Sequence, residues 1–248
     1  MSQRQPTTPH VWGDAQFPTT HWSIILAAGS PESPRYREAL EALCRDYWFP
    51  LYAFLRRRGY GPDEAQDYTQ GFFAHMLDKQ DLCRADPNRG RFRSFLLAML
   101  KHFAADAQQR AQAQKRGGGK TVVSVDFAEA EARYAAEPAH HLSPEKLFER
   151  SWALTVLSRT MARLKQDAVA DKPLLFEQLK AHLGGQADAV PYRDLAARLN
   201  MSEGAIKVAV HRLRKRYREL LREVVAQTVS TPEEVEDEIR ALFTALAP

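Results

Sequence analysis

The sequence predicts an all-α protein made of two small helical domains, and three observations carry that prediction. Apolar residues recur at steps of three and four through most of the 248 residues, which is the period of a helix with one buried face. Strand signals are almost absent, because only 121–127 is rich enough in β-branched residues, and a lone strand has no partner. A glycine triplet at 117–119 then divides the chain and indicates a flexible linker.

The front half is expected to hold most of its residues in long helices. The predicted helices cover 22–28, 36–59, 63–79 and 91–114. Pro50 lies inside the second of these and is expected to kink or split it, because proline lacks the N–H that a helix interior uses. The fourth carries a strong apolar face for the core: Phe92, Phe95, Leu96, Met99, Leu100 and Phe103.

The back half opens at Ser143-Pro144-Glu145, which is typical of a helix N-terminus. Another helix is predicted over 173–183, before two glycines. Thr231-Pro232-Glu233 begins a final acidic helix, whose apolar residues need something to cover them. Those apolar residues are Val235, Ile239, Leu242 and Phe243.

The stretch 190–225 has the pattern of a helix-turn-helix. Pro191 suits the start of a short helix, Asn200 ends it, and Ser202 is a good N-cap for the helix that follows. The apolar face of that second helix consists of Ile206, Val210, Leu213, Tyr217, Leu220 and Val224. Its basic residues fall largely on other faces, where they can meet phosphates or base edges. The competing interpretation is an ordinary solvated helical hairpin.

Composition indicates a folded cytoplasmic protein. At 44% hydrophobic and 27% charged residues, the chain can bury a core under a polar surface. No segment approaches the roughly 20 apolar residues of a membrane helix, and the N-terminus lacks a signal core, so we expect no membrane partner. Cys44 and Cys83 form no CxxC pair, and no ligand spacing supports a metal site with His75 or His102. We expect reduced thiols, no metal and no cofactor.

Two basic segments stand out in a chain whose formal net charge is only +4. Residues 84–120 hold nine basic residues against two acidic ones, and residues 190–225 hold nine against four. Two separated basic surfaces favour one polyanion that is held at two places. The predicted organisation is an arm (1–20), a first helical domain (21–116), a linker (117–142), a helix-turn-helix domain (143–229) and an acidic C-terminal helix (230–248).

In order and spacing these parts resemble the extracytoplasmic-function (ECF) group of bacterial sigma factors, the promoter-recognising subunits of RNA polymerase. The resemblance spans roughly residues 20–225, with the first domain similar to sigma region 2 and the second to sigma region 4. The segments that carry it are DEAQDYTQGFF (63–73), GRFRSFLLAMLKHFAADAQQR (90–110) and LAARLNMSEGAIKVAVHRLRKRYREL (195–220). It implies a non-enzymatic protein that binds polymerase core, recognises the −35 and −10 promoter elements and initiates transcription.

The resemblance also implies the partners and the binding residues. The polymerase core offers two contacts, the clamp helices of its largest subunit and its flap, and the residues assigned to core binding are Asp67, Gln70, Tyr68 and Arg57. An ion pair of Asp67 with Arg56 or Arg57 is the competing interpretation of that acidic residue. An anti-sigma protein or a kinase is a candidate regulator.

Promoter DNA is the second implied partner. The loop 82–91 corresponds to the family's loop that captures a flipped base, and the basic residues around it would contact phosphates. The −10 residues are Leu82, Arg84, Asn88, Arg89, Arg91, Arg93, Lys101, His102, Asp106 and Arg110. The −35 residues are Ser202, Glu203, Lys207, His211, Arg212, Arg214, Lys215 and Arg218. The chain departs from the family pattern at Gly71, where an acidic residue is frequent, at His102 and at Gln109.

Three other interpretations compete with or extend this one. A free-standing helix-turn-helix regulator would use the same DNA-binding helix without needing the Asp67/Gln70 face. An enzyme acting on nucleic acid would need convergent catalytic groups, and the sequence offers no phosphate loop or nucleophile motif. The acidic C-terminal helix, finally, is a candidate to fold back on the basic helix-turn-helix and screen its DNA contacts.

Overall fold

The computed structural model describes residues 36–78, 91–113, 127–136, 141–169, 173–184, 190–229 and 231–247. Every regular element in these ranges is helical, which confirms the all-α prediction for them. The helices are α1 (Tyr36–Arg57), α2 (Pro62–Asp78), α3 (Phe92–Ala113), α4 (Phe127–Ala135), α5 (Pro144–Val169), α6 (Pro173–Leu179), α7 (Tyr192–Leu199), α8 (Glu203–Ala226) and α9 (Val235–Leu246). Short 3-10 turns precede α7 (Lys180–His182) and α9 (Pro232–Glu234). None of the helices described here is both long enough and apolar enough to span a membrane.

Several sequence predictions lie outside the described residues. These are the arm at 1–20, the helix at 22–28, the glycine triplet and the extended stretch that follows it, and the loop at 80–90. Four of the predicted −10 residues belong to that loop: Leu82, Arg84, Asn88 and Arg89.

Helix α1 is continuous through Pro50, so the expected split does not occur. Proline in a helix interior costs about 3 kcal/mol. On either side of it, Tyr47 and Phe54 are completely buried, and each large apolar side chain contributes roughly 1.5–3 kcal/mol by leaving water. The burial of this face therefore outweighs the local cost of the proline.

A single cluster of buried residues, the main core, joins the front and back halves of the chain. It includes residues of α1 to α4, the first half of α5 around Trp152, the last part of α8 around Val224, and Val235 and Leu242 of α9. The predicted core residues of α3 belong to it: Phe92, Leu96 and Leu100 are buried, while Phe95, Met99 and Phe103 pack against it.

The helix-turn-helix has its own buried residues, the helix-turn-helix core. Leu195 of α7 packs there against Ile206 and Val210 of α8. A small adjoining cluster joins Leu164 of α5 with Phe176 of α6 and Leu220 of α8, the last of them on the apolar face predicted for this helix. The contacts of Leu195 with Ile206 and Val210, which are close in sequence, hold α7 against the first half of α8.

Helix α8 runs through both cores and α5 joins the main core to the adjoining cluster, so no gap in packing among the described residues marks the predicted boundary at 117–142. The first half of α5 contributes Phe148 to the main core, and its second half contributes Leu164 beside the helix-turn-helix core. Helix α8 contributes Val210 and Val225 in the same way. The division into two domains stays a prediction, and the described residues form one connected helical assembly.

Part of the predicted flexible linker is the packed helix α4. Its Ala130 is buried in the main core, and Glu131 accepts hydrogen bonds from Arg56 at 2.8 and 3.0 Å. Tyr52 donates to the same carboxylate, and the Arg133 guanidinium lies 3.8 Å from the centre of the Phe49 ring. The expectation of a flexible segment is therefore corrected at 127–135, where alanine-rich helical propensity combines with ion pairing to α1.

Candidate nucleic-acid interface

The turn of the helix-turn-helix is formed as the sequence predicts. Asn200 takes the left-handed conformation with φ 51° and ψ 47°, which asparagine adopts more readily than most residues. Ser202 is the N-cap of α8, and its hydroxyl accepts a bond of 3.2 Å from the Ala205 N–H. The left-handed residue ends α7, and the cap then begins α8 in a new direction.

Three basic residues on α8 form an exposed basic row: Lys207, His211 and Arg218. Steps of four and seven residues place them on one side of the helix, away from the buried Ile206 and Val210. Lys207 also lies 2.9 Å from the Glu203 carboxylate one turn earlier, and this hydrogen bond raises the pKa of the lysine. The pair is exposed, so a phosphate can replace the carboxylate at small cost.

Arg214 shares this side of α8, but its guanidinium is engaged with the protein. Its Nε and Nη2 donate to the His182 carbonyl at 3.0 and 2.8 Å. The His182 ring stacks on Tyr192 with centroids 5.0 Å apart, and its Nε2 lies 3.0 Å from the Val190 carbonyl. In this conformation Arg214 ties the 3-10 turn to the recognition helix through two of its donors, although the residue remains exposed.

The other predicted −35 residues are spread around α8. Lys215 is exposed and lies 4.0 Å from Glu219, while Arg212 borders a groove on a different side of the helix. Arg193 and Arg198 of α7, which the sequence did not single out, are also exposed, and the Arg193 side chain is 89% exposed. The available signal was their place on the helix just before the turn.

An apolar groove of about 570 Å³ lies between α6, the end of α5 and the first half of α8. Leu175 and Phe176 form one wall, Ala205 and Val208 form the other, and Val208 is 51% exposed. The sequence did not predict this surface. The available signal was that Ala205 and Val208 of α8 are small or apolar although they lie outside its main apolar face.

The predicted −10 arginines that the structure describes are bound to acidic residues. Arg93 is 3% exposed in its side chain, and its Nε donates to Glu149 at 2.6 Å. Its Nη1 donates to Glu238 of α9, which also binds Arg91 at 2.9 Å. Its guanidinium carbon lies 4.1 Å from the centre of the Trp152 ring. Arg93 is therefore not available to a phosphate in this conformation.

The remaining −10 predictions differ in accessibility. Lys101 binds Glu145 at 2.7 Å and lies over the Phe54 ring. His102 and Asp106 are exposed on α3. Arg110 lies within the same helix, but its side chain is outside the described structure.

The candidate fold-back of the acidic helix on the helix-turn-helix is not seen, because α9 does not cover the exposed basic row. It packs on the main core through Val235 and Leu242. Its Glu236 binds Arg222 near the end of α8 at 2.7 Å. The contact site lies on the C-terminal part of α8, beyond the residues that would approach DNA.

The residues predicted to bind polymerase core lie on α2, except for Arg57. Asp67 is exposed, Gln70 is partly exposed, and Tyr68 packs edge-on against Tyr60 with centroids 5.1 Å apart. Neither arginine suggested as a partner binds Asp67, because Arg56 binds Glu131 and Arg57 Nε donates to the Leu142 carbonyl at 2.7 Å. The Asp67/Gln70 face is therefore open, whereas Arg57 has a structural role beside it.

Gly71 has a packing reason that the sequence could not show. A Cβ at this position would lie 3.3 Å from Cζ of Phe103, which is tighter than an ordinary van der Waals contact. The glycine leaves room for the Phe103 ring where α2 approaches α3.

No family model, no curated protein and no solved structure matches this chain. The residues and their arrangement are therefore the basis on which its function is inferred.

Proposed function

We propose that this protein is a sigma factor similar to the ECF group, which joins RNA polymerase core and directs it to promoters. The observation that carries the proposal is the capped helix α8, which follows a left-handed turn at Asn200 and presents an exposed basic row opposite its buried face. A recognition helix that enters the major groove from its N-terminus has this arrangement.

The exposed basic row supports recognition of a −35 element. Lys207 lies in the first turns of α8, where side chains reach base edges, and Arg218 lies three turns later, where phosphates are within reach. Each phosphate contact releases condensed counterions, so binding through this row would weaken with salt. Arg193 and Arg198 on α7 add cations for the backbone beside it.

Two surfaces support binding to polymerase core. Asp67 and Gln70, three residues apart, share one side of α2 and give the clamp helices a polar face. The apolar groove beside α8 has the size and lining to take an apolar helix. We propose that the flap of polymerase supplies that helix.

A pull-down of bacterial RNA polymerase core tests this proposal. The double substitution Asp67→Ala/Gln70→Ala is expected to weaken a stoichiometric complex, because it removes the polar docking face. Asp63→Ala/Gln66→Ala removes the same residue types at the same spacing one turn earlier on the same side of α2, so it maps how far the docking face extends. Unchanged binding by Asp67→Ala/Gln70→Ala would move the docking face elsewhere.

A free-standing helix-turn-helix regulator is the second candidate, and the burial of Arg93 favours it. Such a regulator needs only the exposed basic row, whereas a sigma factor also needs its −10 surface. Absence of core binding by the wild-type protein, with duplex DNA binding intact, would decide for the regulator.

A further inference from the structure

Helix α9 places a buried carboxylate on two arginines of another part of the chain. Glu238 is 1% exposed and binds both Arg91 and Arg93, which we call the arginine pair. These arginines lie at the start of α3, far from Glu238 in sequence. The structure thus joins the acidic helix to the basic segment that the sequence analysis assigned to DNA.

Stability alone is a weak explanation for this contact. Removing charges from water is expensive, and apolar residues of similar size would often stabilise a protein equally well or better. Burial is the leading cause that raises the pKa of Glu238, ahead of the opposing effect of Arg93, so the carboxylate gives up much hydration here. Because desolvation offsets much of the attraction, the Glu238 carboxylate can be replaced on the arginines by another anion.

Helix α9 has features of a segment that can leave its site without unfolding the rest. It has 12 residues, of which Val235, Glu238 and Leu242 are buried. A helix of this length is marginal by itself in water. Its other described polar contacts lie near its two ends, from Arg222 to Glu236 and from Arg150 to the Leu246 carbonyl, while Ile239, Ala245 and Leu246 pack against the main core. Segments with few buried contacts open more easily than the whole protein.

We propose that α9 is an intramolecular cover, in which Glu238 occupies the arginine pair until phosphates of single-stranded DNA replace it. Phosphate oxygens match the guanidinium fork as a carboxylate does, so one anion can exchange for the other. Opening the cover removes the Glu238 carboxylate from both guanidinium groups, so that partly exposed Arg91 loses this partner and Arg93 keeps only Glu149. This inference rests on the proposed function, because it takes DNA as the competing anion.

The test compares the full chain with its Glu238→Ala variant for binding a labelled single-stranded oligonucleotide over a series of salt concentrations. Two additional phosphate contacts should steepen the slope of log affinity against log salt by about 1.4, at roughly 0.7 per contact. Asp237→Ala is the matched control, because Asp237 is exposed and pairs with Arg240 within α9 itself. Hydrogen exchange over α9, measured on the same samples, reports whether the cover has opened.

We expect faster exchange over 235–246 and tighter, more salt-dependent binding in Glu238→Ala alone. Faster exchange with unchanged binding would overturn the proposal, and so would unchanged exchange, since Glu238 would then not hold α9. An equal gain in single-strand affinity in Asp237→Ala would mean that the loss of one negative charge, and not the opening of the cover, causes the tighter binding. If the full chain binds duplex DNA but Glu238→Ala gains no affinity for the single strand, the cover is wrong and the proposed function stands. If the full chain binds neither duplex nor single-stranded DNA, the proposed function itself is contradicted.

Discussion

Arg93 has a role that its charge does not predict. It belongs to a basic segment, yet its guanidinium lies over Trp152 between the carboxylates of Glu149 and Glu238. A charge in this position must keep its partners, because an unpaired buried ion is far more costly than an apolar residue. Because it is buried, Arg93 links α3 to α5 through Glu149 and to α9 through Glu238.

The link between Arg93 and Glu238 can be measured by replacing its members singly and together. Arg93→Met should destabilise the protein by about 3–5 kcal/mol, because it leaves the Glu238 carboxylate without its most buried partner. Arg93→Met/Glu238→Met should recover most of that loss, since both buried charges of this pair are then absent. Urea unfolding of the single and double variants gives the comparison, and equal destabilisation in both would contradict the argument.

Helix α4 shows how an element can be missed when its stability comes from a distant partner. Nine residues are too few to form a stable helix by themselves in water. Glu131 meets Arg56 and Tyr52 of α1, and these contacts add the stability that the segment lacks. The element therefore depends on a contact that spans 75 residues of sequence.

The docking of α4 should weaken in acid. Hydrogen bonds from Arg56, and next from Tyr52, lower the pKa of Glu131 below 4.5. A lowered pKa in the folded state means that the contact stabilises docking at pH above the ordinary value and is lost as pH falls through the folded value. Hydrogen exchange over 127–135 should therefore accelerate below about pH 4.5, after correction for the intrinsic rate.

Glu131→Gln is the control for this pH effect. It should show faster exchange over α4 already at neutral pH and little further change in acid, so that the difference from wild type shrinks as pH falls. A difference that is independent of pH would mean that another group controls the docking.

At the scale of the whole molecule, the two halves share one core through α5 and α8. Two independent domains would unfold separately, whereas a continuous core couples their unfolding. Helix α1 packs on α5, so a change in the front half should be felt in the back half. The helix-turn-helix core has its own short-range contacts and is expected to respond less.

Phe54→Ala tests this coupling, because the ring is completely buried in α1. Loss of a buried phenylalanine costs about 3–5 kcal/mol, and we expect faster hydrogen exchange in α5 as well as in α1. Leu195→Ala is the matched control, since it removes a buried side chain from the helix-turn-helix core and should loosen α7 more than α1. Acceleration confined to the front half after Phe54→Ala would support two independent domains.

The sequence by itself determined the features whose causes lie within a few residues. The all-helical fold of the described ranges, the left-handed Asn200, the Ser202 cap and the apolar face of α8 follow from local sterics, hydrogen bonding and periodicity. The exposed basic row is also determined locally, because the period that buries one face of α8 leaves Lys207, His211 and Arg218 on another face.

Only the tertiary structure decided which charges remain available and where the halves meet. Glu238 and Arg93 are 145 residues apart, and no local rule pairs them. The same holds for the carbonyl of His182 that binds Arg214 and for the packing of α5 on α1. Such contacts depend on how helices assemble around a shared core, and that assembly turned two predicted DNA contacts, Arg93 and Arg214, into internal links.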